Sequence, residues 1–167
     1  LKLSKGMGDL NVLMGHYPAA LAVFTAVLSK IPDIESSSRV AESRKEIAAI
    51  FHNIGILQEK MTNFKEARDY FSKSLTIKKD IFEEGDEKIM KTMNCLGYNH
   101  FIQGDDEEAL RYYKEVLKHM KTHSSAYNYQ VYASSLQDMA IIHIRRQELA
   151  LAALCLEGRI KLVNKYP

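Results

Sequence analysis

The stretch GILQEKMTNFKEARDYF, residues 55–71, decides the fold. It sets a glycine at Gly55, an alanine twelve positions on at Ala67 and an aromatic four further at Phe71. Residues 97–113, GYNHFIQGDDEEALRYY, repeat the spacing with Gly97, Ala109 and Tyr113. Residues 8–24, GDLNVLMGHYPAALAVF, repeat it with Gly8, Ala20 and Phe24, and residues 140–156 carry a weaker copy in Ala140, Ala152 and Leu156. Successive copies start 47, 42 and 43 residues apart. Self-similarity at a fixed period in this range marks helical hairpins, each unable to bury its apolar face alone and therefore stacked on the next.

The spacing has a steric reading. Two antiparallel helices approach closely only where a small residue allows it. The glycine, or Ala140, sits on the first helix of each pair, and the alanine sits opposite on the second. The large residue four places later lies on the same face one turn on, where it is expected to fill the space between one hairpin and the next. Apolar neighbours support this: Met7, Ile54, Leu96 and Met139 precede the small residue, and Leu28, Leu75, Leu117 and Ile160 end the second-helix stripe.

These residues resemble the tetratricopeptide repeat family. Met7-Gly8, Gly15, Tyr17, Ala20, Phe24 and Pro32 follow its pattern, as do Ile54-Gly55, Phe64, Ala67 and Phe71, and Leu96-Gly97, Gly104, Ala109 and Tyr113. The fourth copy departs, with Gln147 at the turn and Arg159 where a small residue is usual. The common unit has about 34 residues, so the longer period here allows each helix about one extra turn. In unit length the chain resembles the repeats of kinesin light chains and cell-polarity adaptors, without the Gly-His-Pro-rich loops of the former. The resemblance implies an all-α, right-handed α-solenoid of four hairpins and eight helices. One domain is expected over 1–167, with repeats at about 2–35, 38–84, 86–123 and 126–166. Because the sequence opens on Leu1 and not Met, a piece of a longer protein is expected.

Helix punctuation agrees with eight segments. Pro18 falls in a first turn, where its missing N–H costs nothing. Ser36-Ser37-Ser38 offers a cap to a long helix reaching Lys60, followed by one from Phe64 to about Glu84. Gly85-Asp86, Gly104-Asp105 and Gln147 set the later boundaries. The longest apolar run, Leu149 to Leu156, reads as a buried segment and is too short to span a bilayer, which takes about 20 residues. The formal charge of +2, with 23 basic and 21 acidic residues interleaved along the chain, gives no basic stripe for nucleic acid. Cys95 and Cys155 are expected as buried thiols of a reducing compartment, consistent with a cytoplasmic location.

No catalytic, cofactor-binding or metal residues are assigned, and an enzyme is not expected. His119 and His123, four apart, are expected to be solvent-exposed, and Asp105, Asp106, Glu107 and Glu108 a solvated helix start. His100 and His143, at equivalent positions of two units, read as hairpin-packing residues. The family resemblance instead implies a protein-binding groove lined by first helices, with Lys5, Asp9, His52, Asn53, Lys91, Asn94, Tyr98, Phe101, Gln137 and Asp138 as its candidate residues. Cys95 and Ile141 share the same helix faces. Asn side chains both donate to and accept from a peptide backbone, and aromatics serve as anchors.

The expected partner is another protein, as a peptide or a helical segment, with an adaptor role. One alternative is a co-chaperone clamp on the C-terminal carboxylate of Hsp70 or Hsp90. Lys5, Asn53 and Lys91 suit it, but Asp9 and Cys95 stand where Asn and Arg are usual. Another is a peptide-sensing regulatory domain. The last helix offers Leu149, Leu151, Leu156, Ile160 and Leu162 on a face that a terminal repeat keeps polar, so either a continued solenoid or self-association is expected to cover it.

Overall fold

In the computed structural model, which describes Gly8, Asn11 and residues 15–29, 40–119 and 129–165, every element is helical. The helices are α1 (Tyr17–Leu28), α2 (Val40–Lys60), α3 (Phe64–Ile81), α4 (Glu87–Ile102), α5 (Asp106–Lys118), α6 (Tyr129–Arg145) and α7 (Leu149–Lys165). Gly8 and Asn11, ahead of α1, are also helical. The expected first helix otherwise lies outside the described residues, as do Pro32 and the Ser36–Ser38 cap. No strand occurs among the described residues, and none of their helices is long and apolar enough to cross a membrane.

The chain divides into two units, Leu1–Phe82 and Glu83–Pro167, at the junction between the second and third copies of the motif. In the first, α2 and α3 form a hairpin, and α1 packs on α2. Phe24 is completely buried in a cluster with Ala20, Val27, Ile50, Ile54 and Leu57. The buried Ser74 hydroxyl donates to the Ala48 carbonyl at 2.7 Å, and Arg44 meets Asp80 at 2.7 Å, so α3 is fastened to α2 at two heights. In the second unit, α4–α5 and α6–α7 are hairpins, with α6 packed on both α4 and α5. There the Tyr113 hydroxyl donates to Asp138 at 2.8 Å, and Ser135 donates to Asn94 at 2.7 Å.

The small residue of the motif has a more specific use than helix approach alone. A Cβ built on Gly8 would come 2.5 Å from the ring of Phe24, one on Gly55 2.6 Å from Phe71, and one on Gly97 2.6 Å from Tyr113. Each aromatic ring therefore closes on the bare backbone of the glycine sixteen positions before it. Phe24 and Tyr113 reach the following hairpin as well, through the Ile50–Ile54–Leu57 cluster and Asp138 respectively.

The fourth copy breaks the rule. Ala140 keeps its Cβ, and Leu156, expected to fill the gap beyond its hairpin, is 41% exposed. On α7, a Cβ built on Gly158 would stand 3.4 Å from Leu136 of α6, an ordinary contact that requires no glycine. The run Leu149–Leu156 is correspondingly not a buried segment: only Ala152 and Cys155 are buried there, and Leu149, Leu151 and Leu154 stand out in solvent. Leu162, expected on the open face, is buried.

The turns at the four equivalent positions of the motif share one backbone solution. Gly15, Thr62, Gly104 and Gln147 occupy the same position of the motif and all have positive φ, at 74°, 64°, 79° and 60°. The next residue's N–H closes back five positions, from His16 to Asn11, Asn63 to Gln58, Asp105 to His100 and Glu148 to His143, at 2.8–3.0 Å. This is the left-handed helix stop in which the following N–H satisfies an otherwise orphaned carbonyl. In three hairpins the side chains of the same pair add a second bond. Asn63 donates to Gln58 at 2.9 Å, and the Nδ1 atoms of His100 and His143 bond Asp105 and Glu148 at 2.8 and 2.5 Å. His100 and His143 are thus turn clasps as well as buried packing residues. The end of α3 differs from expectation: Phe82 is already extended, and Gly85, at φ 90°, belongs to the loop before the Asp86 cap, whose carboxylate accepts from the Lys88 N–H.

Two stability measurements follow. Gly97→Ala drives a methyl into the Tyr113 ring and is expected to lower the unfolding free energy by about 1–3 kcal/mol in urea titration. Thr62→Gly relieves a β-branched residue held at positive φ and is expected to raise it by about 1 kcal/mol.

Candidate protein-binding face

In the second unit, α4 and α6 present their solvent stripes side by side. On α4 the stripe runs Lys91, Cys95, Tyr98, Ile102, and on α6 it runs Ser134, Gln137, Ile141, Ile144, each at helical spacing. One end is polar, with Lys91, Asn94, Ser134 and Gln137. The other is apolar, with Tyr98, Ile102, Ile141 and Ile144 all classed among the exposed large hydrophobics. Phe101 is half-buried beside Tyr98, ring centroids 6.2 Å apart, and the Arg145 guanidinium lies 4.8 Å from the Phe101 ring. Arg145 is held by Asp106, and Arg146 by Glu107 at 2.9 Å. The acidic start of α5 therefore grips the end of α6 and is not simply solvated.

Not every candidate residue is equally available. Lys91 is exposed and paired with Glu87 one turn earlier. Asn94 accepts from Ser135, which leaves its amide N–H groups as the donors of that side chain. Asp138 is half-buried, and desolvation raises its carboxyl above the usual range, an effect that the Tyr113 hydrogen bond partly offsets. Burial, and then the Asp138 charge, push the Tyr113 hydroxyl far up, so it remains a donor. Asn94 and Asp138 are thus internal ties whose edges reach the face, while Tyr98 and Gln137 are its open members. His52 and Asn53, in the other unit, are half-buried on α2, the His52 ring 5.6 Å from that of Phe71. Lys5 and Asp9 lie outside the described residues. Sequence reasoning missed Ile102 and Ile144, though the four-three-four spacing from Lys91 through Tyr98 carries the signal for Ile102.

Glu84, Glu115 and His119 form the group among the described residues whose ligand atoms converge, within 4.8 Å of one another. His119 Nε2 lies 3.5 Å from Glu84 and 3.8 Å from Glu115, but the Lys118 ammonium lies 3.6 and 3.5 Å from the same two carboxylates. A cation is already built into the cluster, so it reads as an ion-pair network tying α5 to the loop before α4. His119 is buried, not solvent-exposed as its sequence context suggests, because α5 ends against that loop. His123 lies outside the described residues. Cys95 is half-buried and Cys155 buried, both as free thiols, and desolvation raises the Cys155 thiol.

Residues 46–122 match the family model of the tetratricopeptide repeat. This segment belongs to that family. No curated protein matches the chain in sequence. Among solved structures, the chain is similar to BtubC (BKLC) from P. vanneervenii, with a TM-score of 0.82 at 15% identity over 98% of this chain and 63% of that one. It is also similar to a Rap protein complexed with Competence and Sporulation Factor, with a TM-score of 0.62 at 15% identity over 98% of this chain and 52% of that one. A third likeness is to the TPR-like repeats of a kinesin light chain from Podosopora anserina, with a TM-score of 0.59 at 13% identity and coverage of 99% and 95%. The chain thus spans 63% and 52% of the first two, and structural likeness at identities this low shows a shared fold alone.

Asp138 of α6 is held by the Tyr113 hydroxyl of α5, and this has a pH signature. A carboxyl whose folded pKa is raised binds its proton more readily when folded, so the folded state gains stability as pH falls from the raised value toward the ordinary carboxylate range, about 3.9. Asp138→Asn keeps an acceptor for Tyr113 and removes that titration. Between pH 7 and 4.5 the wild-type unfolding free energy is expected to improve relative to the variant, read from paired urea titrations. A constant difference across that range contradicts the desolvated carboxyl.

Proposed function

We propose that this chain is a protein-interaction scaffold whose α4–α6 face binds a peptide or helical segment of another protein. The observation that carries the reading is the juxtaposition of exposed Tyr98, Ile102, Ile141 and Ile144 with the polar end formed by Lys91, Asn94 and Gln137. Four large apolar side chains left in water on two adjoining helices mark an interaction surface. The neighbouring amide and ammonium donors suit backbone carbonyls or a carboxylate of an extended segment. The fold supports binding over chemistry, since tetratricopeptide repeats generally serve as scaffolds, and the Rap neighbour is complexed with Competence and Sporulation Factor. In this proposal the four copies of the motif are four hairpins of one repeat type, and within the second unit the first helices, α4 and α6, supply the binding surface.

The chaperone-clamp alternative is the weaker reading. Cys95 brings no charge where a bidentate guanidinium is wanted, and Asp9 sets a carboxylate where Asn is usual. Constitutive adaptor binding and peptide-sensing regulation share the same face and differ in what binding does to the rest of the protein.

Selection of ligands from a displayed random-peptide library tests the face directly. Tyr98→Ala and Ile141→Ala, at exposed positions, are each expected to weaken the selected peptides at least tenfold, the loss typical of an aromatic or aliphatic anchor. Helical content and melting temperature are expected to stay within error of wild type. Peptides whose affinity is indifferent to both changes would place the binding site elsewhere.

A further inference from the structure

The charges around the α4–α6 face are matched at both ends and unmatched at the centre. At the polar end Lys91 pairs with Glu87, and at the apolar end Arg145 and Arg146 pair with Asp106 and Glu107. Between them stands half-buried Asp138 of α6, with no cation paired to it among the described residues. Its Oδ2 accepts from the Tyr113 hydroxyl at 2.8 Å. Its Oδ1, which is not sealed from solvent, accepts from no described residue.

The place of this carboxylate is fixed from both helices. The Tyr113 ring closes on Gly97 of α4 while its hydroxyl reaches Asp138, so the carboxylate sits across from the Gly97–Tyr98 level of α4. Asn94, one turn before Tyr98, bonds Ser135, one turn before Asp138, and so sets the same register. The Tyr113 hydroxyl is pushed up by burial first, then by Asp138, and further by Tyr98 and Cys95, so all three side chains gather around one point. Exposed Ile141 follows Asp138 by one turn on α6. The centre of the face is therefore a carboxylate flanked by an aromatic and an aliphatic side chain. A carboxylate drawn partly out of water without a counter-charge carries a desolvation cost that a bound cation offsets. An anionic ligand would add repulsion, and a wholly apolar one would add desolvation.

We propose that the segment bound by this face carries a lysine or arginine at its centre, whose cationic head pairs with Asp138 Oδ1 while its aliphatic stem lies against Tyr98 and Ile141. The inference rests on the interaction face proposed above and adds the chemistry of its occupant. An aromatic ring beside the carboxylate suits a cation through its negative face, and a long stem covers apolar surface while its head reaches the charge. Ile102 and Ile144, further along the same stripes, then meet an apolar neighbour of that residue.

Two selections from a displayed random-peptide library, one on the wild-type chain and one on Asp138→Asn, test this. Asparagine keeps an acceptor for Tyr113, and circular dichroism checks the fold. Wild-type peptides are expected to carry Lys or Arg at one fixed position, although the formal charge of +2 disfavours basic ligands at long range. Replacing that residue by glutamine is expected to weaken binding about tenfold on wild type and less than about twofold on Asp138→Asn, a cycle that isolates the one pair. Selection on Asp138→Asn is expected to lose the basic position. Peptides that depend on Tyr98 and Ile141 yet carry no basic residue overturn this inference and leave the interaction face standing. Peptides indifferent to Tyr98→Ala and Ile141→Ala, or no enriched peptide at all, overturn both. A basic residue whose replacement costs as much on Asp138→Asn as on wild type overturns the inference, since another group then holds it. Should Asp138→Asn misfold, the glutamine exchange on wild type still decides: unchanged affinity overturns the pairing.

Discussion

An aromatic ring resting on a glycine is the contact on which each regular hairpin depends. At Gly8, Gly55 and Gly97 a Cβ would stand about 2.5–2.6 Å from the ring, far inside any sustainable separation. Glycine in a helix interior costs roughly 1 kcal/mol against alanine, so three such residues are retained against their own propensity. What they gain is depth. The ring sinks to the backbone, becomes completely buried in Phe24, Phe71 and Tyr113, and brings the two helices together at a height set by the fifteen intervening residues. The left-handed stop between them then follows as a length constraint, which is why a β-branched Thr62 and a long Gln147 accept positive φ where Gly15 and Gly104 accept it freely.

Much of this was legible in the sequence. The twelve-and-four spacing gave the helical class, the hairpins and most boundaries, because packing glycines and turn residues leave marks at fixed offsets. The contact partner was less legible. Spacing placed Gly55 opposite Ala67, whereas the atoms that need the vacancy belong to Phe71, and only the direction of a side chain distinguishes the two. Burial along α7 was misread for a related reason. A run of eight apolar residues looks like core in one dimension, but a helix has a circumference, and only Ala152 and Cys155 of that run turn inward.

The candidate face shows the same division. Helix periodicity places Lys91, Tyr98 and Gln137 on outward stripes, and they are there. It says nothing of which polar atoms are already committed. Asn94 is tied to Ser135 and Asp138 to Tyr113, so two residues that looked like ligands for a partner are first of all ligands for each other's hairpins. His119 was drawn inward by Glu84, on a loop thirty-five residues away in sequence, a contact beyond the reach of any local pattern.

The irregular fourth copy follows from the same constraint taken away. Once Ala140 replaces glycine, no ring can settle on α6, and Leu156 has no seat there. Leu136 packs beside Gly158 at a separation that a Cβ would tolerate, and the inward stripe of α7 is Ala152, Cys155 and Leu162 with half-buried Arg159, whose Nε has no hydrogen-bond partner among the described residues. Rotation of an apolar helix cannot hide one seam without presenting another. The exposed Leu149–Val163 stripe accompanies the missing glycine, and the free energy left in that stripe is available only to a surface outside the hairpin.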